Sequence, residues 1–315
     1  MIVRIIKEWE FPDFLKQTPD GLGIWDGIRF TAEEVEECDY VIVLNRVDKE
    51  IALKCPPKNV WAVMQEPYIP GIFEWMVRGH QQFAKVFTHH VFSTDAKYIS
   101  SYPMLPWHVQ KSYDELVAMK KPPDKTREIS SIVSNKAFFP GHKKRLKFLE
   151  RLRQADVPHI DFYGKGTCFI EDKWDGLSSY RYSLALENSQ SPDYWTEKLA
   201  DCFLAYTMPI YYGCDNLEAY FPEGSFIRID IEKPDEAVRI IKEAIETDCW
   251  SRSFEALEEA RRRVLTRYNL FATLSRVIRD EQSRTPAEPS EITLKPYVPP
   301  LWLRGIGKIK RLLHG

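Results

Sequence analysis

Asn188, Tyr194, Glu197 and Lys198 crowd into one stretch, "YSLALENSQSPDYWTEKLADCFLAYTMPIYYG" (182–213), with Glu187 beside them. Such side chains suit an anionic, hydroxyl-rich ligand. The stretch reads as an apolar strand, a polar loop through Ser189, Pro192 and Asp193, a helix from about Trp195, and a second strand. Open α/β sheets take ligands at such strand-to-helix turns. Lys198 falls in the first turn of the helix, where a cation opposes the macrodipole and an anion would relieve the cost. Glu197 points about 100° away around the helix axis, so the two are expected to serve different groups, one a ribose diol and the other a phosphate. Tyr194 is positioned to stack on a ring or to donate its hydroxyl. Ordinary helix surface is the plain alternative for Glu197 and Lys198, and their place at a sheet's carboxyl edge weighs against it.

Arg145 belongs to a second cluster, "SNKAFFPGHKKRLKFLERL" (134–152), in which Pro140 and Gly141 lead into a helix carrying Lys143, Lys144 and Arg145 in its first turns. Backbone N–H groups at a helix start, with a guanidinium able to bind two oxygens, make a phosphate cradle. A solvated basic face over Leu146, Phe148, Leu149 and Leu152 is the equal alternative. In the N-terminal half, "VWAVMQEP" (60–67) ends a strand on Glu66, a carboxylate beside proline-braced backbone that suits a general base; a salt-bridged loop glutamate is the alternative. His89 and His90 end another strand, where substrate binding and a core or capping role stay open. "GKGTCF" (164–169) lacks the third glycine of a dinucleotide fingerprint.

The elements that must hold these residues are short apolar runs with helical stretches between many of them. The runs are 2–6, 40–44, 60–64, 85–87, 130–134, 159–164, 182–186, 209–212 and 226–230. That rhythm predicts βαβ units and mostly parallel sheets, an α/β fold. Helices are expected at about 142–154, 195–206, 234–246 and 252–283. The charged "AMKKPPDKTRE" (118–128) is read as a domain boundary. This gives an N-terminal domain over 1–122, a C-terminal ligand-binding domain with a long terminal helix over 123–283, and a proline-rich linker with a basic amphipathic tail over 284–315. The tail, "LWLRGIGKIKRLLHG", has the apolar and basic mixture of a membrane-surface anchor; a docked helix or a disordered tail is the bland reading.

At 315 residues, with 44% hydrophobic and 29% charged residues, the chain has material for two globular domains. A net charge of -2 gives no overall steering toward nucleic acid. The six cysteines form no C-x-x-C pair, and read as reduced thiols. No N-terminal apolar run has the length of a signal anchor and no N-x-S/T acceptor occurs, which points to a cytoplasmic enzyme or a piece of something longer.

The opening stretch, followed by "FPEGSFIRID", resembles the C-terminal region of the α-1,3/1,4-fucosyltransferases of glycosyltransferase family 10. Their hallmark is F-x-N-S-x-x-x-D-Y-x-T-E-K with a downstream P-[IV]-x-x-G. The likeness runs from Ser134 to roughly Asp230, and more faintly through "VWAVMQEP". It implies a GT-B architecture of two Rossmann-like domains facing a cleft, GDP-fucose as donor, inversion at the anomeric carbon, and no essential metal or other cofactor. Carried over, Arg145 and Lys198 would hold the diphosphate, Asn188, Tyr194 and Glu197 would contact the nucleotide, its ribose or the sugar, and Glu66 would be the base. A glycan or lipid-linked oligosaccharide would be the acceptor, with the tail a candidate for contact at the inner membrane surface. The resemblance is to a compact bacterial type, since the membrane anchor, luminal cysteines and glycosylation sites of animal relatives are not seen. "LALEN" stands where relatives often carry an aromatic before the Glu-Asn pair. Another GDP-sugar on the same fold, or a non-catalytic nucleotide-sugar or glycan-binding module, are the competing readings.

Overall fold

Runs such as "YVIVL" and "PIYY" carry apolar side chains on both faces, as strands of a sheet covered on both sides must. In the computed structural model, which describes residues 1–164, 166–282 and 288–300, they become parallel strands in two separate units. One unit comprises residues 1–105 and the described residues from Asn269 onward; the other is Pro106–Tyr268.

The first unit contains β1 (Ile2–Ile6), β2 (Ile24–Trp25), β3 (Ile28–Thr31), β4 (Tyr40–Leu44), β5 (Ile51–Cys55), β6 (Val60–Val63), β7 (Lys85–Thr88) and β8 (Tyr98–Ser100). Seven of these form one sheet in the order β2-β3-β1-β4-β6-β7-β8, parallel except for the β2-β3 hairpin. Between β1 and β8 the crossovers are loops and single 3-10 turns, where the sequence rhythm had predicted helices. Val41, Val43, Ala62, Met64 and Val86 pack the core on one face of this sheet.

The second unit contains α1 (Tyr113–Ala118), β9 (Arg127–Ile132), α2 (Pro140–Gln154), β10 (Ile160–Tyr163), β11 (Tyr180–Leu186), α3 (Glu197–Leu204), β12 (Met208–Tyr212), β13 (Ile227–Arg228), α4 (Pro234–Glu246), α5 (Cys249–Arg252) and α6 (Phe254–Thr266). Its sheet runs β10-β9-β11-β12-β13, all parallel. In chain order this is 2-1-3-4-5, a doubly wound Rossmann-like sheet whose strand order reverses between β9 and β11. Two Rossmann-like units in one chain are the components of a GT-B fold. α7 (Leu270–Gln282) and β14 (Ser290–Leu294) follow and belong to the first unit.

Three further details differ from the sequence reading. The units divide at Leu105 and Pro106 rather than at 122 and 123. Asp201 accepts from the backbone N–H groups of His108 and Val109, and the Lys125 ammonium donates to the Ala205 carbonyl, so the segment before and within the proline-rich stretch is tied to the second unit. The helix expected over 252–283 breaks at 267–269. There the Asn269 side chain accepts from the Phe271 N–H and starts a new helix. Finally, the linker expected over 284–300 contains β14, which pairs antiparallel with β5 and buries Leu294 in the core of the first unit. The tail over 301–315 lies outside the described residues.

Candidate active site

β9 and β11 end side by side at the strand-order reversal, and their loops lead into α2 and α3. A crevice opens at such a point because the two crossovers leave toward opposite faces of the sheet. α2 begins at Pro140 with no side chain capping it, so its first N–H groups are left for a ligand or water. Gly141 lets this helix start lie against the loop after β11: a Cβ there would fall 1.7 Å from the Asn188 carbonyl oxygen.

Arg145, on the next turn of α2, points inward and is only 4% exposed. Its Nη1 donates to Asn188 Oδ1 at 2.5 Å and to the Leu186 carbonyl at 3.4 Å, while its buried Nε has no hydrogen-bond partner. Burial depresses the Arg145 pKa from its high ordinary value, against the pull of Glu187, Glu197 and Tyr194. Lys143 and Lys144 face outward, Lys144 onto Glu232. His142 is buried beside them, its pKa pushed down to about 4 by burial and then by Arg145. The site therefore holds a neutral imidazole among cations.

After β11, Glu187 is fully buried and accepts from both the N–H and the hydroxyl of Thr196 at 2.8 Å. Gly213, at the end of β12, makes room for it: a Cβ there would meet Glu187 Cγ at 2.5 Å. The Lys198 ammonium lies 3.2 Å from Glu187, 3.1 Å from Thr196 Oγ1 and 3.4 Å from Glu197. The anion that offsets a cation at this end of α3 is thus internal, and Thr196 caps the helix. Glu197 and Lys198 touch each other, although they lie about 100° apart around the helix axis and were expected to serve different groups. The lysine stem is long enough to fold back across the first turn.

Burial raises the Glu187 pKa, partly countered by Lys198. Burial would lower that of Lys198, but Glu187 and Glu197 overcome it and hold the ammonium charged. For Glu197 burial pushes upward, and Lys198, Lys173 and His108 together hold the carboxyl well below its ordinary range. Tyr194 is 2% exposed, a burial that argues against an open stacking face, and its carbonyl accepts from the Tyr211 hydroxyl.

Arg145, Asn188, Tyr194, Glu197 and Lys198 are therefore assembled at one point of the second unit. Glu66 belongs to the first unit, exposed just past the end of β6. The backbone before it is fixed, because the buried Gln65 donates its N–H to Asn45 Oδ1 at 2.8 Å and accepts from the Trp9 indole. His90 stacks on Tyr68 with ring centroids 4.5 Å apart, and burial lowers its pKa. Sequence reasoning missed Lys173, Asp201 and His108, which surround Glu197. One signal was available: Glu197 and Asp201 are like charges four residues apart on α3, a spacing that is destabilising unless another element supplies a cation.

The same region is where similarity to known proteins concentrates. Residues 122–262 match Glycosyltransferase family 10 (fucosyltransferase) C-term. Through this segment, somewhat less than half of its length, the chain is similar to glycosyltransferase family 10. Over 74 residues, 23% of this chain, it is 36% identical to 16% of the alpha-(1,3)-fucosyltransferase FucT of Helicobacter pylori. Over 127 residues, 38% of the chain, it is 34% identical to 34% of the 4-galactosyl-N-acetylglucosaminide 3-alpha-L-fucosyltransferase 9 of Mus musculus. The chain thus matches about a third or less of the length of these curated relatives. Among solved structures, an alpha1,3-fucosyltransferase with GDP-fucose aligns with a TM-score of 0.49 at 18% identity, covering 80% of both chains. Among the described residues no group of three or more His, Cys, Asp or Glu is arranged to hold a metal ion, and no helix is long and apolar enough to cross a membrane.

Proposed function

We propose that this chain is an inverting fucosyltransferase of glycosyltransferase family 10 that moves L-fucose from GDP-fucose to a hydroxyl of a glycan acceptor. The observation that carries the reading is the set of charges at the switch point of the second unit: a buried guanidinium with an unpartnered Nε, an ammonium, and an uncapped helix start. Together they offer an anion three kinds of donor in a site shielded from water, where such interactions are strongest. The names of the relatives supply the donor sugar; the charges by themselves ask only for a phosphate.

In this proposal Arg145 and Lys198 bind the diphosphate, Glu197 accepts from the ribose hydroxyls, and Asn188 and Tyr194 line the nucleotide or sugar. The acceptor oxygen attacks the anomeric carbon, the carbon–oxygen bond to the β-phosphate breaks, and its electron pair leaves with GDP. Two fixed cations stabilise that charge as it develops. The acceptor proton passes to Glu66, the base assigned by resemblance. A loop carboxylate at a braced strand end is suited to this, since a general base must be held within hydrogen-bond reach of its proton.

The test measures GDP binding by calorimetry and fucose transfer from GDP-fucose to a galactosyl-N-acetylglucosaminide, in the wild type, Arg145→Ala and Glu66→Ala. Arg145→Ala is expected to weaken GDP by about a hundredfold or more, the usual scale for stripping a buried charged contact from an interface. Glu66→Ala should bind GDP nearly as well as the wild type and lose transfer by about 100-fold or more. Unchanged transfer in Glu66→Ala would remove the base assignment, and UDP bound in preference to GDP would remove the donor.

A further inference from the structure

We propose that Lys173 is a positioning residue, holding the Glu197 carboxylate in place when Lys198 turns from it toward the donor's phosphate; the proposal rests on the GDP-sugar reading of this site. In the structure all three Lys198 ammonium hydrogens have acceptors close by, on Glu187, Thr196 and Glu197. Binding a phosphate oxygen therefore means releasing at least one of them. Glu187 keeps two other donors, the N–H and hydroxyl of Thr196. Glu197 has a second cation in Lys173, whose ammonium lies 3.4 Å from the same Oε1 that Lys198 contacts.

Lys173 is itself anchored. Its ammonium is 3.1 Å from Oδ2 of Asp201, which is 1% exposed. The other oxygen of Asp201 accepts the backbone N–H groups of His108 and Val109 at 2.8 and 3.3 Å. The lysine thus bridges two carboxylates one turn apart on α3, and removes a like-charge repulsion the helix alone could not relieve. Every charged or titratable group recorded around Glu197 enters this balance. Lys198 and Asp201 lie on its own helix, Lys173 on the 3-10 turn over 173–176, and His108 on the segment before α1, with Nδ1 3.9 Å away. Glu187 comes from the end of β11 and Arg145 from α2. With Lys173 present, Glu197 stays an acceptor for the ribose while Lys198 is occupied elsewhere.

The experiment compares the wild type, Lys173→Met and Lys173→Arg by GDP calorimetry between about pH 4.5 and about pH 7.5, a range that reaches down to the ordinary glutamate value. Alongside, the Glu197 side-chain carboxyl carbon is followed by NMR without ligand. Lys173→Met is expected to weaken GDP by about tenfold or more, about 1.4 kcal/mol, with the loss growing toward acid as Glu197 takes a proton more readily. Its carboxyl titration should move up in pH, and Lys173→Arg should restore most of both properties. If Lys173→Met does not fold, Lys173→Gln, which can still donate to Asp201 without a charge, is read in its place. Wild-type affinity, pH profile and Glu197 titration in the uncharged variant would overturn the proposal and leave the GDP site standing. If the wild type does not bind GDP at all, the functional reading falls, and the Glu197 titration still decides whether Lys173 governs that carboxylate.

Discussion

Lys198 and Glu187 bind the start of α3 to the end of β11, so this pair has a structural role besides any part in ligand binding. Removing the cation alone leaves a carboxylate buried without its counter-charge, which typically costs about 3–5 kcal/mol. The direction of the Glu187 pKa gives that loss a pH dependence. Its folded value lies above the ordinary one because of burial. Its contribution is therefore fully present below the unfolded pKa and is lost as pH rises through the folded value. Without Lys198 the folded value climbs further, and at acid pH Glu187 can take up a proton instead of remaining charged. Urea unfolding of Lys198→Met should accordingly show a larger loss near about pH 8 than near about pH 5, and Glu187→Gln in the same background should recover most of it. An equal loss at both pH values would mean that Glu187 is not the group left unpaired.

Gly141 separates two opposing effects at the level of the element. It sits in the first turn of α2, where replacing glycine by alanine ordinarily gains about 0.5–1 kcal/mol of helix stability. Here the added methyl would meet the backbone of Asn188, which no side-chain rotation can move. Overpacking of that kind costs about 1–3 kcal/mol, so the clash should win. Gly141→Ala is expected to lower stability in urea and to weaken GDP, because α2 must withdraw from the loop that carries Asn188 and turn Arg145 with it. A stabilised variant with unchanged affinity would show that the loop gives way freely and that the close approach does not position the site.

At the scale of the whole molecule, the chain completes its first unit only after it has built the second. β14 returns to pair with β5, and Leu294 enters the core among Leu53, Val60 and Trp75. Leu294→Ala should cost about 2–5 kcal/mol of stability, the usual range for emptying a buried leucine site. Its GDP affinity under native conditions should match the wild type, since the cations of the proposed site all lie between Pro106 and Tyr268. A large fall in affinity at temperatures where the protein stays folded would contradict that separation.

β5, "IALKC", was not among the strands read from the sequence, although Ile51, Leu53 and Cys55 alternate with the exposed Ala52 and Lys54 as in a half-buried strand. Its partner was not legible, because Ser290–Leu294 sits among prolines and polar residues whose composition reads as linker, and a ladder pairing far along the chain leaves no local signature. The strands of the second unit, by contrast, were readable from sequence to within a few residues, since burial on both faces demands unbroken apolar runs. So were Arg145 and the group of Asn188, Tyr194, Glu197 and Lys198, as two separate clusters, since cations at helix starts and a polar loop between apolar strands are local features; that Arg145 meets Asn188 was decided by the fold. Only the tertiary structure decided what those charges face. Lys198 turns onto a buried glutamate, and Lys173 and Asp201 join it from a turn and a helix face that no local pattern connects. Periodicity and capping record what each segment needs from its near neighbours. Which distant side chain meets a buried charge depends on how the sheet orders its strands.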